Sequence, residues 1–218
     1  MAKKIYLSPS SQKENLYAYG GTNEAEQCMK IALAAADALK RNGFEVSVGG
    51  GTMYTRVPES NKWGADLHVA IHTNASRGNT AGTRCYAWKK GGVGFGAAQA
   101  IFNVLAPLTP GVSEGVYEQQ TWYEIKSTKA PCAYIECEFH DVAETAKWIV
   151  EHTSDIGEAI ARGICNFYGV SFTPKVVTPD PAEPAVLYRV QCGAFAEKKN
   201  AEALVAKLKA AGFDAIIK

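Results

Sequence analysis

The 218-residue sequence predicts an α/β protein with a mostly parallel, twisted sheet, helices on both faces of that sheet, and a small C-terminal βαβ module. Three observations predict this fold. Short apolar runs alternate with helix-like segments over the first 170 residues, as in chains that build parallel sheets. One run, within residues 66–76, ends on a histidine. A proline-rich stretch then precedes a second, shorter strand–helix–strand pattern.

The first region contains regularly spaced elements. Strands are predicted where apolar residues alternate or run together, at residues 5–7, 44–48, 68–72, 83–88 and 130–139. Helices are predicted at residues 25–39, 56–64, 94–105, 142–151 and 156–168. Residues 112–120 are predicted to form an exposed loop.

The first helix has the clearest boundaries. It is rich in alanine, Thr22 or Asn23 can cap its start, and Asn42-Gly43 ends it. The triple glycine at 49–51 lacks the Gly-Lys-Ser/Thr ending of a phosphate-binding loop, so a flexible loop is predicted there.

Composition excludes several classes of protein. The 23 basic and 22 acidic residues nearly balance, so the sequence has no excess of positive charge of the kind that indicates a nucleic-acid partner. No apolar run has the length of a signal-peptide core or a membrane span, so we expect synthesis in the cytoplasm without a signal peptide, and no membrane insertion. The six cysteines form no CxxC pair, which predicts thiols packed as small hydrophobic groups and not a disulfide framework.

Two regions are predicted after residue 171. Residues 172–185 contain four prolines and favour an extended linker between a domain at 1–171 and a module at 186–218. That module reads as a strand at 186–193, a helix at 198–211 and the start of a strand at 213–217. A unit of this size is expected to be too small to bury a stable core alone, and its pattern is that of a truncated module.

Three side chains form a candidate site. Glu24 starts a helix, whereas His72 and Glu136 lie at the ends of strands that a parallel sheet brings to one edge. Imidazole and carboxylate are zinc ligands, and a further carboxylate can act as a general base. The structural alternatives are a core histidine, a helix-dipole partner at Glu24 and a salt-bridged Glu136.

Two segments carry a resemblance to a known family. The segment Ala65–Ala75 resembles the strand ending in Ser-Ile-His-x-Asn-Ala of zinc-dependent N-acetylmuramoyl-L-alanine amidases from phage lysins and sporulation enzymes, and Ala133–Phe139 resembles their Glu-x-Gly-Phe segment. The resemblance covers about residues 3–170, with Arg56 and Asn61 at that family's Arg and Asn positions.

The resemblance implies a bound zinc ion and hydrolysis of the amide between N-acetylmuramic acid and L-alanine. It implies Glu24 and His72 as metal ligands and Glu136 as the catalytic glutamate. Arg56, Asn74 and His140 are further candidates for contact with the substrate or the site. His140 follows the strand of Glu136 and is a candidate for contact with a metal or a transition state; a structural role is an equal alternative.

The sequence departs from the family in the first loop. Where the family has Asp-Pro-Gly-His-Gly, this chain has Ser8-Pro9-Ser10-Ser11-Gln12, so a serine stands in place of the first histidine ligand. Gln12 is the predicted third ligand by spacing, and Glu14 is the alternative by chemistry.

The C-terminal module also carries a resemblance. Its opening Tyr-Arg-Val-Gln-x-Gly-Ala-Phe, residues 188–195, resembles the SPOR domain, which binds peptidoglycan glycan stripped of stem peptides. Only the first half of that ferredoxin-like pattern is present.

These features predict a cell-wall amidase of endolysin or autolysin type that acts on peptidoglycan after release from the cytoplasm. The alternatives are an inactive peptidoglycan-binding homologue, and a metallopeptidase or deacetylase that would release internally cut peptides or acetate. We expect a groove for sugar rings that is lined by Tyr117, Trp122 and Tyr123; the alternative is that these aromatic residues pack within a loop.

Overall fold

The computed structural model describes residues 2–78, 80–175, 191–213 and 215–217. The chain divides into two compact units, Met1–Lys175 and Val176–Lys218. The strands are β1 Lys4–Pro9, β2 Glu45–Val48, β3 Leu67–Asn74, β4 Arg84–Ala87, β5 Gly115–Glu118 and β6 Cys132–Phe139. The helices are α1 Glu24–Arg41, α2 Met53–Trp63, α3 Val93–Leu105, α4 Tyr123–Ser127, α5 Ala143–Glu151, α6 Thr153–Tyr168 and α7 Lys198–Ala210.

The first unit is built on a six-stranded sheet with the order β2-β1-β3-β6-β4-β5. Neighbouring strands are parallel except β4 and β6, which pair antiparallel. The register places His72 of β3 beside Glu136 of β6, and Glu136 beside Arg84 of β4. The predicted mostly parallel α/β fold is confirmed.

The two faces of the sheet differ in character. One face carries the apolar residues of β1, β3 and β6, which are fully buried with residues of α1, α3 and α6 in one hydrophobic core. Alternation along a strand sends the intervening residues to the opposite face. That second face carries the buried polar residues Ser8, His68, His72 and Glu136.

Helix α1 brings Glu24 to the edge of this face. Asn23 is its N-cap, and the Asn23 side-chain oxygen accepts a hydrogen bond of 3.1 Å from the backbone N–H of Glu26. Such a cap fixes the first helical turn, where a carboxylate is favoured by the helix dipole. Glu24 lies in that turn and is buried.

Three sequence predictions differ from the structure. Residues 112–120, predicted as an exposed loop, contain strand β5, which pairs with β4. The four residues of β5 are too few to show the alternation that predicts a strand from sequence. The short helix α4 was not predicted. The described residues of 213–217 form no strand, and most of the strand predicted at 186–193 lies outside the described residues, as does the linker beyond residue 175.

The cysteines are placed largely as predicted. Five of the six are buried in the first unit, and Cys192 is exposed in the second. Within the described residues, no helix combines the length and apolar character needed to cross a membrane.

Candidate active site

The candidate site lies where β3 and β6 end beside the start of α1. The Nδ1 atom of His72 is 2.9 Å from Oε1 of Glu24, and both residues are buried. The second oxygen of Glu24 accepts a hydrogen bond of 2.6 Å from Nδ2 of Asn15, and the backbone N–H of Thr73 donates to the first at 3.4 Å. Two of the predicted site residues are therefore in direct contact and held from several sides.

The charges of this pair stabilise each other. Burial opposes ionisation of Glu24, but the hydrogen bond and charge of His72 outweigh it and lower the pKa of the carboxyl. Burial likewise opposes charge on His72, yet hydrogen bonds to Glu124 and Glu24 raise its pKa to about 9. A positive charge at this point is therefore favoured by the surrounding carboxylates.

Glu136 faces the same point from β6. It is 8% exposed, and its Oε2 atom is buried with no hydrogen-bond partner in the described part of the chain. Burial raises its pKa to about 7; the charge of Glu24 raises it further, whereas His72 and Arg84 act in the opposite direction. A carboxyl with a pKa near neutrality and an unpaired oxygen can take up and return a proton.

A third acidic residue, Glu124 of α4, lies on the other side of His72. Its Oε2 is 3.5 Å from Nε2 of His72, and its Oε1 is 3.2 Å from Nε2 of His68 and accepts a short hydrogen bond from the Ser8 hydroxyl. Burial would raise the pKa of Glu124, but the two histidines lower it. A metal-ligating histidine usually places its second nitrogen against such a carboxylate, which fixes the orientation of the ring.

The site residues predicted from the sequence include neither Glu124 nor His68. Both lie in one buried network with His72, because residues 68 and 72 of β3 share a face. No sequence signal marked Glu124, since it sits on a five-residue helix between two loops.

Arg56 lies within this network. Its Nε donates to Ser8 Oγ at 2.6 Å, its Nη1 donates to the Gly51 carbonyl at 2.5 Å, and its Nη2 is 3.7 Å from Glu124 Oε2. Ser8 stands where the family motif has aspartate, so α4 supplies the carboxylate next to this arginine. Arg56 is 2% exposed and acts through its neighbours.

Asn61 has a comparable role at the end of α4. Its amide donates to the Ser127 carbonyl at 3.0 Å and its oxygen accepts from the Lys129 N–H at 2.7 Å. These contacts hold the segment that carries Glu124.

The first loop does not bring a predicted third ligand into contact with His72. The side chains of Gln12 and Glu14 are exposed, and the Gln12 amide lies 3.5 Å from Ser10 Oγ. Ser10 in turn hydrogen-bonds Glu24. In the described residues, no group of three His, Cys, Asp or Glu side chains is arranged around a common metal position.

His140 and Asn74 occupy the rim of the site. Nδ1 of His140 is 2.9 Å from Thr73 Oγ1, and its ring stacks on Tyr17 at 5.1 Å between centroids. The Asn74 side-chain oxygen accepts from the Ala75 N–H at 2.8 Å. His140 thus ties the loop that carries Tyr17 to the end of β3.

Comparisons with known proteins show which families the chain resembles. The profile of a family described as N-acetylmuramoyl-L-alanine amidase matches residues 9–166, and that of the SPOR domain matches residues 184–218. A sporulation-specific N-acetylmuramoyl-L-alanine amidase of Bacillus subtilis (strain 168) is 26% identical over 222 residues, which cover 98% of this chain and 84% of that protein.

Solved structures share the fold of the first unit. The catalytic domain of CwlV, an N-acetylmuramoyl-L-alanine amidase from Bacillus (Paenibacillus) polymyxa var. colistinus, superposes with a TM-score of 0.69 at 19% identity, covering 78% of this chain and 99% of that domain. The catalytic domain of the CD27L endolysin, which targets Clostridia difficile, gives a TM-score of 0.65 at 23% identity, covering 75% of this chain and 97% of that domain.

Proposed function

Because the chain belongs to the N-acetylmuramoyl-L-alanine amidase family, we propose that it hydrolyses the amide bond between N-acetylmuramic acid and L-alanine in bacterial peptidoglycan. One observation carries this proposal. The buried carboxyl of Glu136 presents an unpaired oxygen beside the contacting pair of Glu24 and His72. The family supplies the substrate class, and this arrangement supplies the groups that amide hydrolysis needs.

Glu136 is the proposed proton carrier. Water adds to the amide carbonyl carbon and gives a proton to the Glu136 carboxylate, which returns it to the leaving nitrogen as the C–N bond breaks. The products are the free lactyl carboxyl group of the sugar and the free amino group of L-alanine. A pKa of about 7 suits both directions of this transfer near neutral pH.

Glu24 and His72 are the proposed holders of a divalent metal ion, zinc by resemblance to the family. Their facing atoms are a carboxylate oxygen and an imidazole nitrogen, which suit zinc, and Glu124 sits on the far nitrogen of the ring. When bound, such an ion lowers the pKa of water and polarises the amide carbonyl. Gln12 stays the proposed third ligand by its spacing in the sequence, and Glu14 is the alternative by its chemistry.

The other proposed contacts are with peptidoglycan. Asn74 at the end of β3 is a proposed substrate contact, whereas Arg56 and His140 support the site through Ser8, Glu124 and Thr73. The C-terminal region is a proposed binding module for glycan without stem peptides, and the proposed place of action is the cell wall.

The test uses the full chain, purified sacculi and mass spectrometry of the released products. We expect free stem peptides with an N-terminal L-alanine, and a loss of about 10²- to 10⁴-fold in rate for Glu136→Gln. Glu138→Gln is the matched control, because Glu138 lies on the same strand, is buried, and also has a pKa raised to about 7, but bonds to Gly82 and Phe139. Its rate should stay within a few-fold of the parent.

Metal content provides a second measurement. Elemental analysis of the purified chain should find zinc that is lost in His72→Ala together with hydrolysis. A folded parent chain that releases no stem peptide even with added zinc would refute the proposal and leave a peptidoglycan-binding protein. Internally cut peptides or acetate would instead indicate a different hydrolase.

A further inference from the structure

A row of aromatic side chains leads away from the proposed active site across the sheet. The strand register pairs Ala70 with Tyr134, Tyr134 with Tyr86, and Tyr86 with Tyr117. Paired residues of neighbouring strands share a face, and Ala70 lies two residues before His72 on β3. The three tyrosines therefore lie side by side on the face that carries His72.

The rings of this row contact one another in sequence. His72 stacks on Tyr134 with 4.4 Å between ring centroids, and Tyr134 lies 4.8 Å from Trp122. Trp122 lies 4.7 Å from Tyr86, which lies 5.9 Å from Tyr117. We call Tyr134, Trp122, Tyr86 and Tyr117 the aromatic row.

The aromatic row is not part of the hydrophobic core. Tyr117 is 42% exposed, and the other three rings are partly exposed. The alternate residues of β4, Cys85 and Ala87, are fully buried on the opposite face, which α3 covers. Three of the four rings lie on strands, and Trp122 lies at the start of α4, where it packs against Tyr86 and Tyr134.

The row also borders an unpaired hydrogen-bond donor. Arg84 pairs in register with Glu136, two residues before Tyr86, and its Nε is buried without a hydrogen-bond partner among the described residues. Apolar ring faces and a nearby polar donor form the usual combination in ligand sites.

We propose that the aromatic row is a subsite for the sugar rings of the glycan strand, and this inference rests on the proposed function. The row begins at His72 and Glu136, beside the proposed position of the scissile amide, and we assign the sugar-bearing side of that amide to the row. Three neighbouring strands at about 4.8 Å spacing give it a length of about 10 Å, which suits two linked sugar rings. The apolar faces of N-acetylhexosamines stack on aromatic rings, and Arg84 Nε is the proposed donor to an acetamido oxygen.

The experiment uses ¹⁹F NMR of the full chain labelled with 5-fluorotryptophan. The chain has four tryptophans, at positions 63, 88, 122 and 148, all in the first unit, so binding at the C-terminal module alone does not report directly. Trp122→Phe assigns the Trp122 signal. The probe is chitohexaose, a soluble β-1,4-linked N-acetylglucosamine oligomer.

We expect a saturable shift of the Trp122 signal with chitohexaose. Tyr117→Ala should weaken the dissociation constant from this shift by about two- to tenfold, the usual worth of one aromatic stack. Tyr19→Ala is the matched control, because the exposed fraction of Tyr19, 41%, is nearly that of Tyr117. The ring of Tyr19 contacts Lys147, which is not part of the row. This variant should leave the constant unchanged.

An unmoved Trp122 signal, or equal constants for Tyr117→Ala and Tyr19→Ala, would overturn the inference. A shift of Trp122 by a stem tripeptide and not by chitohexaose would assign the row to the peptide and overturn it as well. The proposed hydrolysis fails separately: a chain that binds chitohexaose at Trp122 but releases no stem peptide from sacculi keeps the subsite and loses the amidase activity.

Discussion

Two carboxyl groups of β6 share their burial but differ in their partners. Each has one oxygen, Oε2, without a hydrogen-bond partner among the described residues, but Glu136 lies beside His72, whereas the other oxygen of Glu138 accepts hydrogen bonds from the backbone N–H groups of Gly82 at 2.5 Å and Phe139 at 2.8 Å. The first arrangement leaves a group ready to react. The second fastens the loop before β4 to the end of β6.

Glu138 makes the stability of the fold depend on pH. Burial raises its pKa from 4.5 to about 7, although the two N–H donors act in the opposite direction. The folded state therefore holds this proton more tightly than the unfolded state, and the resulting stability is present below about pH 4.5 and is lost as the pH rises through about 7.

We expect Glu138→Gln to remove this dependence, since its amide oxygen can accept the same two bonds without titrating. Between about pH 4.5 and pH 8 the parent should lose roughly 2 kcal/mol of unfolding free energy relative to the variant. Urea unfolding at several pH values measures the difference. Parallel pH profiles for the two proteins would contradict the role given to Glu138.

For single residues, the sequence predicted the site best where a side chain able to bind metal or carry a proton lies at the end of a strand. His72, Glu136 and Glu24 were identified because a parallel sheet brings its strand ends to one edge, and the structure does place them together. Their roles in catalysis and metal binding stay predictions. The position of Glu124 beside His72 could not be predicted, because it depends on how the short helix α4 packs. The position of Gln12 could not be predicted either, because it depends on the conformation of a loop.

At the scale of elements, α6 approaches α3 closely through a glycine. A Cβ atom on Gly163 would lie 2.5 Å from Ile101 Cα and 3.0 Å from the Ala100 carbonyl oxygen, both backbone atoms. The absence of a side chain thus sets the distance between α3 and α6, two of the helices that pack in the hydrophobic core.

We expect Gly163→Ala to destabilise the fold by about 1–3 kcal/mol, because the helices must move apart. The control is Gly96→Ala in α3, whose added Cβ would meet only the Phe167 ring at 3.3 Å. Its higher helix propensity is worth up to about 1 kcal/mol, so it should be neutral or stabilising. Thermal unfolding compares the two; equal losses would show that helix spacing is not controlled at position 163.

Periodicity predicted the long elements well and the short ones poorly. Helices such as α1 and α6 have apolar faces of many residues that identify them. Strand β5 and helix α4 have four and five residues, too few to show a period, and they form because β4 and α2 offer partners for them.

At the scale of the whole molecule, the first unit carries its own core and the proposed site. We expect a fragment of residues 1–175 to unfold within about 2 °C of the main transition of the full chain, because its core residues all lie within it. Calorimetry of both proteins makes the measurement.

The same fragment separates binding from cleavage. It should still release stem peptides from sacculi, while its sedimentation with sacculi stripped of stem peptides should fall, since residues 184–218 match the SPOR family. A fragment that fails to fold, or that sediments as well as the full chain, would contradict this division. The domain boundaries at residues 171 and 185 stay predictions from composition.

The buried thiols of the first unit have a consequence for its chemical durability. Cys28, Cys85, Cys132, Cys137 and Cys165 are at most 5% exposed, and burial raises the pKa of each. Oxidants and disulfides react with exposed thiolates. These sulfur atoms are protected because they are buried and because their raised pKa keeps them protonated. The covalent structure of this unit should therefore be the same in reducing and in oxidising surroundings, with no disulfide bond to form or lose between them.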